Sequence, residues 1–244
     1  MRRFYCDSKD IIDNTVYFDK NESKHISRVL RLEKGEDIIV STGDGLDRYC
    51  TLLTEGEDVT ARINEIRPNG NEPESEIILF QAIIKNEKMD LLIQKVTELG
   101  ITKIVPVITE RTVVKIEDSK KEQKKQERWQ KIALEACKQC GRSRVPEVLP
   151  AQTFNNALKL FEECEQKLVA YEAEKTISVV EAVKKAKSIG YFIGAEGGIT
   201  DEEHQKLQQA GAISVSLGKR ILRAETAAIV TGGIILALNG EMDV

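Results

Sequence analysis

Two rhythms of apolar and polar positions divide the chain near residue 72. Before it, short β-favouring runs alternate with turn signals: Val16-Tyr17-Phe18, Asp37-Ile38-Ile39-Val40, Tyr49-Cys50-Thr51-Leu52-Leu53 and Val59-Thr60-Ala61-Arg62-Ile63. The breaks include Thr42-Gly43-Asp44-Gly45 and Glu55-Gly56-Glu57-Asp58. One helical segment interrupts them, Ser23 to Leu32, where Ile26, Val29 and Leu30 recur at helical spacing. Several short strands in so little chain predict a small barrel or curled sheet over residues 1–72.

Arg67-Pro68-Asn69-Gly70-Asn71-Glu72-Pro73 reads as a linker, and the pattern then lengthens. Ile77 to Ile84 is an apolar run fit for a buried strand, and Lys88 to Leu99 is an amphipathic helix with Met89, Leu92, Ile93, Val96 and Leu99 on one face. Strand Lys103 to Ile108, a charged helix over Lys121 to Cys140, strand Lys167 to Tyr171 and helix Ser178 to Lys187 follow. Strand Tyr191 to Gly194, helix Asp201 to Ala210, strand Ile213 to Leu217 and an apolar helix Glu225 to Leu238 close the sequence. Strands alternating with helices predict an α/β domain over residues 73–244, a parallel sheet covered on both faces.

Composition changes this picture little. No run approaches the roughly 20 apolar residues of a membrane span, and Met1 to Asp10 lacks the apolar core of a signal peptide. Cytoplasm is the expected compartment. Five cysteines, an odd number, argue against a disulfide framework. Cys137-x-x-Cys140 lacks nearby histidines, His25 and His204 being far off, so no metal is expected. The net charge of −4 divides into −4 for residues 1–72 and zero for the rest. Any nucleic-acid surface is therefore a local patch.

Candidate chemistry lies in loops after strands, where open α/β sheets hold ligands. Ile193-Gly194-Ala195-Glu196-Gly197-Gly198-Ile199-Thr200 runs from strand to helix; it is either a ligand loop whose glycines admit close backbone approach or a tight turn. Thr200 with Glu203 forms a capping box, and the loop lacks the G-x-G-x-x-G dinucleotide spacing. In Ser216-Leu217-Gly218-Lys219-Arg220-Ile221-Leu222-Arg223-Ala224-Glu225-Thr226-Ala227, Ile221 and Leu222 either pack on an adenine ring or belong to the core. Thr109 to Lys115 and Cys140-Gly141-Arg142-Ser143-Arg144 place four cations in two short loops, suited to phosphate contacts or simply solvated.

Together these segments resemble the RsmE family of bacterial methyltransferases that act on uridine N3 of 16S ribosomal RNA. The resemblance rests on Gly194 to Gly198 followed by Ser216 to Ala227, and continues through Lys88-Met89-Asp90 to Gly100, Glu110 to Lys115, Glu127 to Pro146 and His25 to Arg31. It spans essentially the whole chain. Ala195 departs from it, standing where the family usually has proline. The resemblance implies a SPOUT-type α/β fold with a C-terminal trefoil knot, preceded by a PUA-like RNA-binding β-barrel. It implies S-adenosyl-L-methionine as cofactor, the 30S subunit as partner and a homodimer with neither metal nor membrane. Cofactor contacts would come from Leu168 and Tyr171, from Gly194, Glu196, Gly197 and Gly198, and from Ser216, Leu217, Gly218, Ile221, Leu222, Arg223 and Thr226. Arg2, Arg3, Lys24, Arg28, Arg31, Lys115 and Arg144 are the expected RNA contacts.

Uridine N3 carries a proton and is a poor nucleophile until it is lost, so the site must favour the deprotonated base and align it. Arg111, Arg142 and Arg223 are the expected anion stabilisers or phosphate holders, and Glu225 is the expected base or the group that orients Arg223. Rival readings are an enzyme of the same fold acting on another RNA, a non-catalytic ribosome-assembly protein, and a nucleotide-dependent oxidoreductase, which the absent G-x-G-x-x-G disfavours.

Overall fold

The computed structural model describes residues 1–54, 56–112 and 119–242. The chain forms two compact units, Met1–Glu72 with Cys137–Val145, and Pro73–Ala136 with Pro146–Val244.

The first unit is built on strands β1 (Arg2–Tyr5), β2 (Ile11–Ile12), β3 (Thr15–Tyr17), β4 (Asp37–Ser41), β5 (Leu46–Leu52) and β6 (Thr60–Pro68), in the order β1-β4-β5-β6-β3-β2. Pairing is antiparallel except for β1 on β4. A flat sheet of six strands would hold its edges roughly 24 Å apart. Residues 6–10 alone join the edge strands β1 and β2, and Ser8–Asp10 is a 3-10 turn, so the sheet has to curl. Phe4, Val16, Ile38, Val40, Cys50, Leu52 and Ala61 fill its inner face, closed by Ile26. The helix expected from Ser23 to Leu32 is helix α1 (Lys20–Lys24) running into one π turn, His25–Val29; Arg31 at φ +53° ends it.

Residues 137–145, which the sequence pattern leaves in the second domain, belong to this first unit. Buried polar groups explain why. The Asp47 carboxylate takes the Arg3 guanidinium and the Ser143 hydroxyl, and Asn69 Nδ2 donates to Ser143 Oγ at 2.6 Å. The Glu72 carboxylate accepts the Ser143 and Arg144 amides at 2.6 and 2.7 Å and pairs with the Arg142 guanidinium at 3.1 Å. Charges this deeply buried are tolerated only when each finds its partner, which pins the segment.

The second unit carries β7 (Glu76–Ala82), β8 (Lys103–Ile108), β9 (Glu147–Val148), β10 (Gln152–Thr153), β11 (Gln166–Ala170), β12 (Ser188–Ile193) and β13 (Ile213–Val215). All pair parallel, in the order β10-β8-β7-β12-β11-β13, with β9 also on β8. The helices are α2 (Asn86–Leu99), α3 (Ser119–Cys140), α4 (Phe154–Glu162), α5 (Val179–Ala182), α6 (Asp201–Gln209) and α7 (Ala224–Asn239). Side chains alternate across each strand. Ile78, Phe80, Val105, Val107, Val169 and Phe192 meet Ala157 and Phe161 of α4 and Leu207 of α6, while α2 and α7 pack together over β7 and β12 on the other face.

One close contact seats α7. A Cβ at Gly232 would lie 2.7 Å from Tyr191 Oη, and the Tyr191 ring is wholly buried with no room to retreat. Gly232→Ala is therefore expected to destabilise the protein by about 1–3 kcal/mol through overpacking. Adding Tyr191→Phe, which deletes the clashing oxygen, should restore most of that loss; denaturant titration of the two single variants and the double variant checks it, and strict additivity would refute the contact.

Candidate functional site

Because every strand of the second sheet runs the same way, the carboxyl ends of β11, β12 and β13 share one edge. Beyond them lies a cavity of about 650 Å³, walled by Ala170–Ala173, Ile193–Ile199 and Val215–Ala224. This is a common volume for small-molecule and cofactor sites.

The glycine loop does not use its glycines uniformly. Only Gly198 takes a left-handed backbone, at φ +75°. Gly194 is small because the loop folds on itself: a Cβ there would sit 2.8 Å from the Gly198 carbonyl carbon. The Gly198 amide donates to the Ala195 carbonyl at 2.9 Å, a backbone bond that closes the turn. Arg111 holds the loop from outside, donating from Nη1 to the Gly197 carbonyl at 2.7 Å. Thr200 and Glu203 form the capping box that starts α6, and the second oxygen of Glu203 accepts the Glu110 amide at 2.9 Å. The turn carrying Arg111 and the loop it clamps are thus fastened twice.

After β13, Ser216 is held in parallel register with Ser178; its amide donates to the Ile177 carbonyl at 2.8 Å and its carbonyl accepts the Val179 amide at 3.1 Å. Gly218 follows at φ +101° with open space where a Cβ would point. Leu217, Ile221 and Leu222 give this wall its apolar surface, and Ile221 is 79% exposed. It is therefore not a core residue. On the β11 side, the Tyr171 ring stacks on His204 at 3.7 Å and its hydroxyl donates to Asp201 at 3.0 Å.

The cavity gathers most, but not all, of the expected residues. Tyr171, Gly194, Glu196, Gly197, Gly198, Ser216, Leu217, Gly218, Ile221, Leu222, Arg223 and Arg111 line it. Leu168 does not: it lies two residues before the end of β11 with its side chain wholly buried. Nor does Thr226, which is exposed on α7 while Ala224 and Ala227, three residues apart, face the cavity. Arg142 is no free anion stabiliser, because its buried guanidinium is neutralised by Glu72 in the first unit. Glu225 is not in the lining, and its Oε2 lies 3.9 Å from Lys88 Nζ.

Of the expected RNA contacts, Arg2, Lys24, Arg28, Arg31 and Arg144 are exposed, with Arg28 paired to Glu57 at 3.0 Å. Arg3 is removed from that set by its buried pairing with Asp47, and Lys115 lies outside the described residues. Lys88, Glu172, Lys175, Asp201, Lys219 and Arg220 line the cavity although the sequence pattern did not single them out. For Lys88 one signal exists: a cation in the first turn of a helix, where the macrodipole favours carboxylates. Six cations face three carboxylates in the lining, although acidic residues outnumber basic ones over the chain. Burial raises the Glu196 carboxyl, but its own backbone amide, the Lys85 amide and Lys88 together outweigh it and leave the group below its usual value.

Whether these walls suit a sulfonium nucleoside is decided by donor chemistry. Such a ligand presents a flat apolar ring, a cationic sulfur and an amino-acid end carrying both charges. The apolar Leu217, Ile221 and Leu222, the carboxylates of Glu172, Glu196 and Asp201 and the open space at Gly218 meet those demands. The residues fit the cofactor.

The fold and this site define an RNA methyltransferase: residues 71–236 match the family model described as "RNA methyltransferase domain". More narrowly, the chain belongs to the ribosomal RNA small subunit methyltransferase E family. It is 33% identical to the Bacillus subtilis (strain 168) member over 93% of both sequences. The member from Buchnera aphidicola subsp. Acyrthosiphon pisum (strain APS) is 32% identical over 98% of this chain and 94% of its own. Among solved structures, the Neisseria gonorrhoeae enzyme bound to S-adenosyl methionine superposes with a TM-score of 0.86 at 33% identity, covering 98% of each chain. A Legionella pneumophila chain in complex with the bound cofactor SAM gives 0.84 at 32% identity, covering 96% of each.

His204 yields a test of this wall by itself. Burial beneath Tyr171 pushes its imidazole below the usual histidine value, outweighing the nearby Asp201 and Glu174, and Nε2 meets Ser214 Oγ at 2.7 Å. The folded state thus prefers neutral His204, and the unfolded chain binds the extra proton first. Its contribution is intact above about pH 6.5 and is lost as pH falls through the folded value. Chemical denaturation of wild type and His204→Gln between pH 8 and 5 should show wild type losing stability relative to the variant as pH drops; parallel curves would refute the burial effect.

Proposed function

We propose that this chain methylates N3 of a uridine in 16S ribosomal RNA, using S-adenosyl-L-methionine and acting on the small ribosomal subunit. The observation that carries the reading is the cavity beyond β11, β12 and β13, where glycine-bearing loops and an excess of cations meet on one sheet edge. When bound, the cofactor supplies an electrophilic methyl group and leaves as a neutral thioether. Uridine N3 must give up its proton, here to solvent, before its lone pair can bond to that carbon, which moves negative charge onto the flanking carbonyl oxygens. Arg111 and Arg223 stand on the wall as the cations that stabilise this anion. Arg111 spends one N–H on the Gly197 carbonyl, so the loop fixes its position while other guanidinium N–H groups serve the substrate. Glu225, drawn to Lys88 and off the wall, is unsuited to act as the base.

The site also suggests the finer architecture. The stretch between β11 and α5 crosses the end of β13 to reach Ser216, and the chain beyond Ser216 returns to α7, which packs on α5, β12 and β7. This crossing supports a SPOUT-type trefoil knot formed by the C-terminal part. The curled sheet of the first unit supports a PUA-like RNA-binding domain over residues 1–72, with Arg2, Lys24, Arg28 and Arg31, and Arg144 of the segment that joins that unit, as exposed phosphate contacts. A homodimer in the cytoplasm completes the reading, Val230 and Leu238 of α7 being apolar and exposed. Among the described residues, no helix is long and apolar enough to cross a membrane.

Three predictions follow from this reading. Labelled methyl transfer to 30S subunits lacking the modification should yield 3-methyluridine on digestion and mass spectrometry; label only in transfer RNA would overturn the RNA target, and label only in free 16S RNA would overturn the assembled subunit as substrate. Arg111→Ala should lower kcat by about 100-fold or more, and unchanged turnover would remove Arg111 from the anion-stabilising role. Light scattering behind size exclusion should return twice the 27.4 kDa chain mass, whereas a monomer would refute the dimer.

A further inference from the structure

The glycine loop and the first turn of α7 come from separate stretches of chain, yet one side chain touches both. Lys88 sits in the first turn of α2, where the aligned backbone dipoles disfavour a cation. Its ammonium lies 3.4 Å from Glu196 Oε1 of the glycine loop and 3.9 Å from Glu225 Oε2 of α7. Glu196 Oε1 also accepts the amide of Lys85, the residue just before α2, at 3.4 Å. Glu225 is in the opposite position: its Oε2 is buried and has no hydrogen-bond partner among the described residues. At 3.9 Å, Lys88 is too far to donate a hydrogen bond to it but close enough to balance its charge. The lysine side chain is 30% exposed and forms part of the cavity wall.

We propose that Lys88 is a positioning residue of the methyl-transfer site: it ties the glycine loop, through Glu196, to the first turn of α7, through Glu225. This rests on the reading of the cavity as the cofactor site. Without the ammonium, two carboxylates face each other at the cavity margin with no cation between them. Like charges so placed repel, and a buried unpaired carboxylate draws water or moves outward. Either response separates Gly194–Gly198 from Ala224 and Ala227, residues that meet across one cavity. The same arrangement explains why Glu225 is partly buried in a turn that also carries the exposed Arg223: its partner comes from α2.

The test is equilibrium dialysis with labelled S-adenosyl-L-methionine, paired with turnover on 30S subunits and circular dichroism of each variant. Lys88→Met is expected to raise the cofactor Kd at least tenfold, and Lys88→Arg to stay within about threefold of wild type. Lys88→Met combined with Glu225→Gln should recover most of the loss, because the charge that Lys88 balances is gone. A wild-type Kd for Lys88→Met overturns the proposal, as does a double variant whose losses simply add. So does a Lys88→Arg variant as impaired as Lys88→Met. Should Lys88→Met fail to fold, Lys88→Gln reads the same link, alone and combined with Glu225→Gln: weakened binding that the second change restores supports it, and wild-type binding of Lys88→Gln refutes it. If wild type binds cofactor but methylates no ribosomal substrate, the substrate reading falls while the Kd series still decides Lys88. If wild type binds no cofactor, both fall.

Discussion

A parallel sheet has a direction, and in this protein the direction does most of the organising. Leu168 of β11 pairs with Tyr191 of β12 on one side and Ile213 of β13 on the other, all running the same way. Three strands in that register must end on one edge, so three loops distant in sequence are delivered to one place. Irregular backbone is costly to bury unless its amides and carbonyls find partners. Here they do: Gly198 closes on Ala195, Ser216 on Ile177 and Val179, and the Gly197 carbonyl on Arg111. The loops are thereby stiff before any ligand arrives, which is what a site that must align a nucleophile with a methyl group requires.

How much of this is legible in sequence depends on whether a feature is periodic or long-range. Period-coded elements come through nearly intact: the strand read over Lys103 to Ile108 is β8, and the helix read from Lys88 to Leu99 is α2 with two more residues at its start. Elements decided by a distant partner do not. β1 is invisible because its basic start, Arg2-Arg3, hides a strand fixed by Phe4 in the core, by pairing with β4 and by the distant Asp47 that holds Arg3. The helix read from Ser178 to Lys187 stops at Ala182, although its capping box forms, because Gln166 takes the Ala182 carbonyl and the Lys184 amide with its own side chain. The placement of residues 137–145 is likewise set by Asp47, Asn69 and Glu72, some 70 or more positions away.

The site shows the same division. Loop composition located the glycine loop and the Ser216–Ala227 segment, because glycines and strand ends are local signals. It could not sort the arginines. Arg111, Arg142 and Arg223 look alike in sequence, yet Arg142 is consumed by Glu72 while Arg111 and Arg223 reach the cavity. A guanidinium is either a structural counter-ion or a functional cation according to what lies across from it, and that is a tertiary fact. Leu168 and Thr226 stand off the wall for smaller reasons: Leu168 lies two residues below the strand end on the same face as the lining Ala170, and Thr226 falls on another helical phase than Ala224 and Ala227.

A chain with more acidic than basic residues must work to make a site for an RNA anion, and the distribution of partners shows how. Its buried cations, Arg3 and Arg142, are matched one to one within the first unit. Around the cavity the balance reverses, with Arg111, Lys175, Lys219, Arg220 and Arg223 on the wall beside three carboxylates and Lys88. Methyl transfer from a sulfonium to a deprotonated uracil asks one pocket to receive a cation and to stabilise an anion. Uniform charge of either sign would serve one demand and defeat the other. Glu196 sits in the glycine loop and is held by Lys88, whereas Arg223 lies at the start of α7 free of Glu225, because Glu225 turns to Lys88. Lys88 supplies one counter-charge to both carboxylates, and Arg111 and Arg223 stand on the cavity wall apart from them.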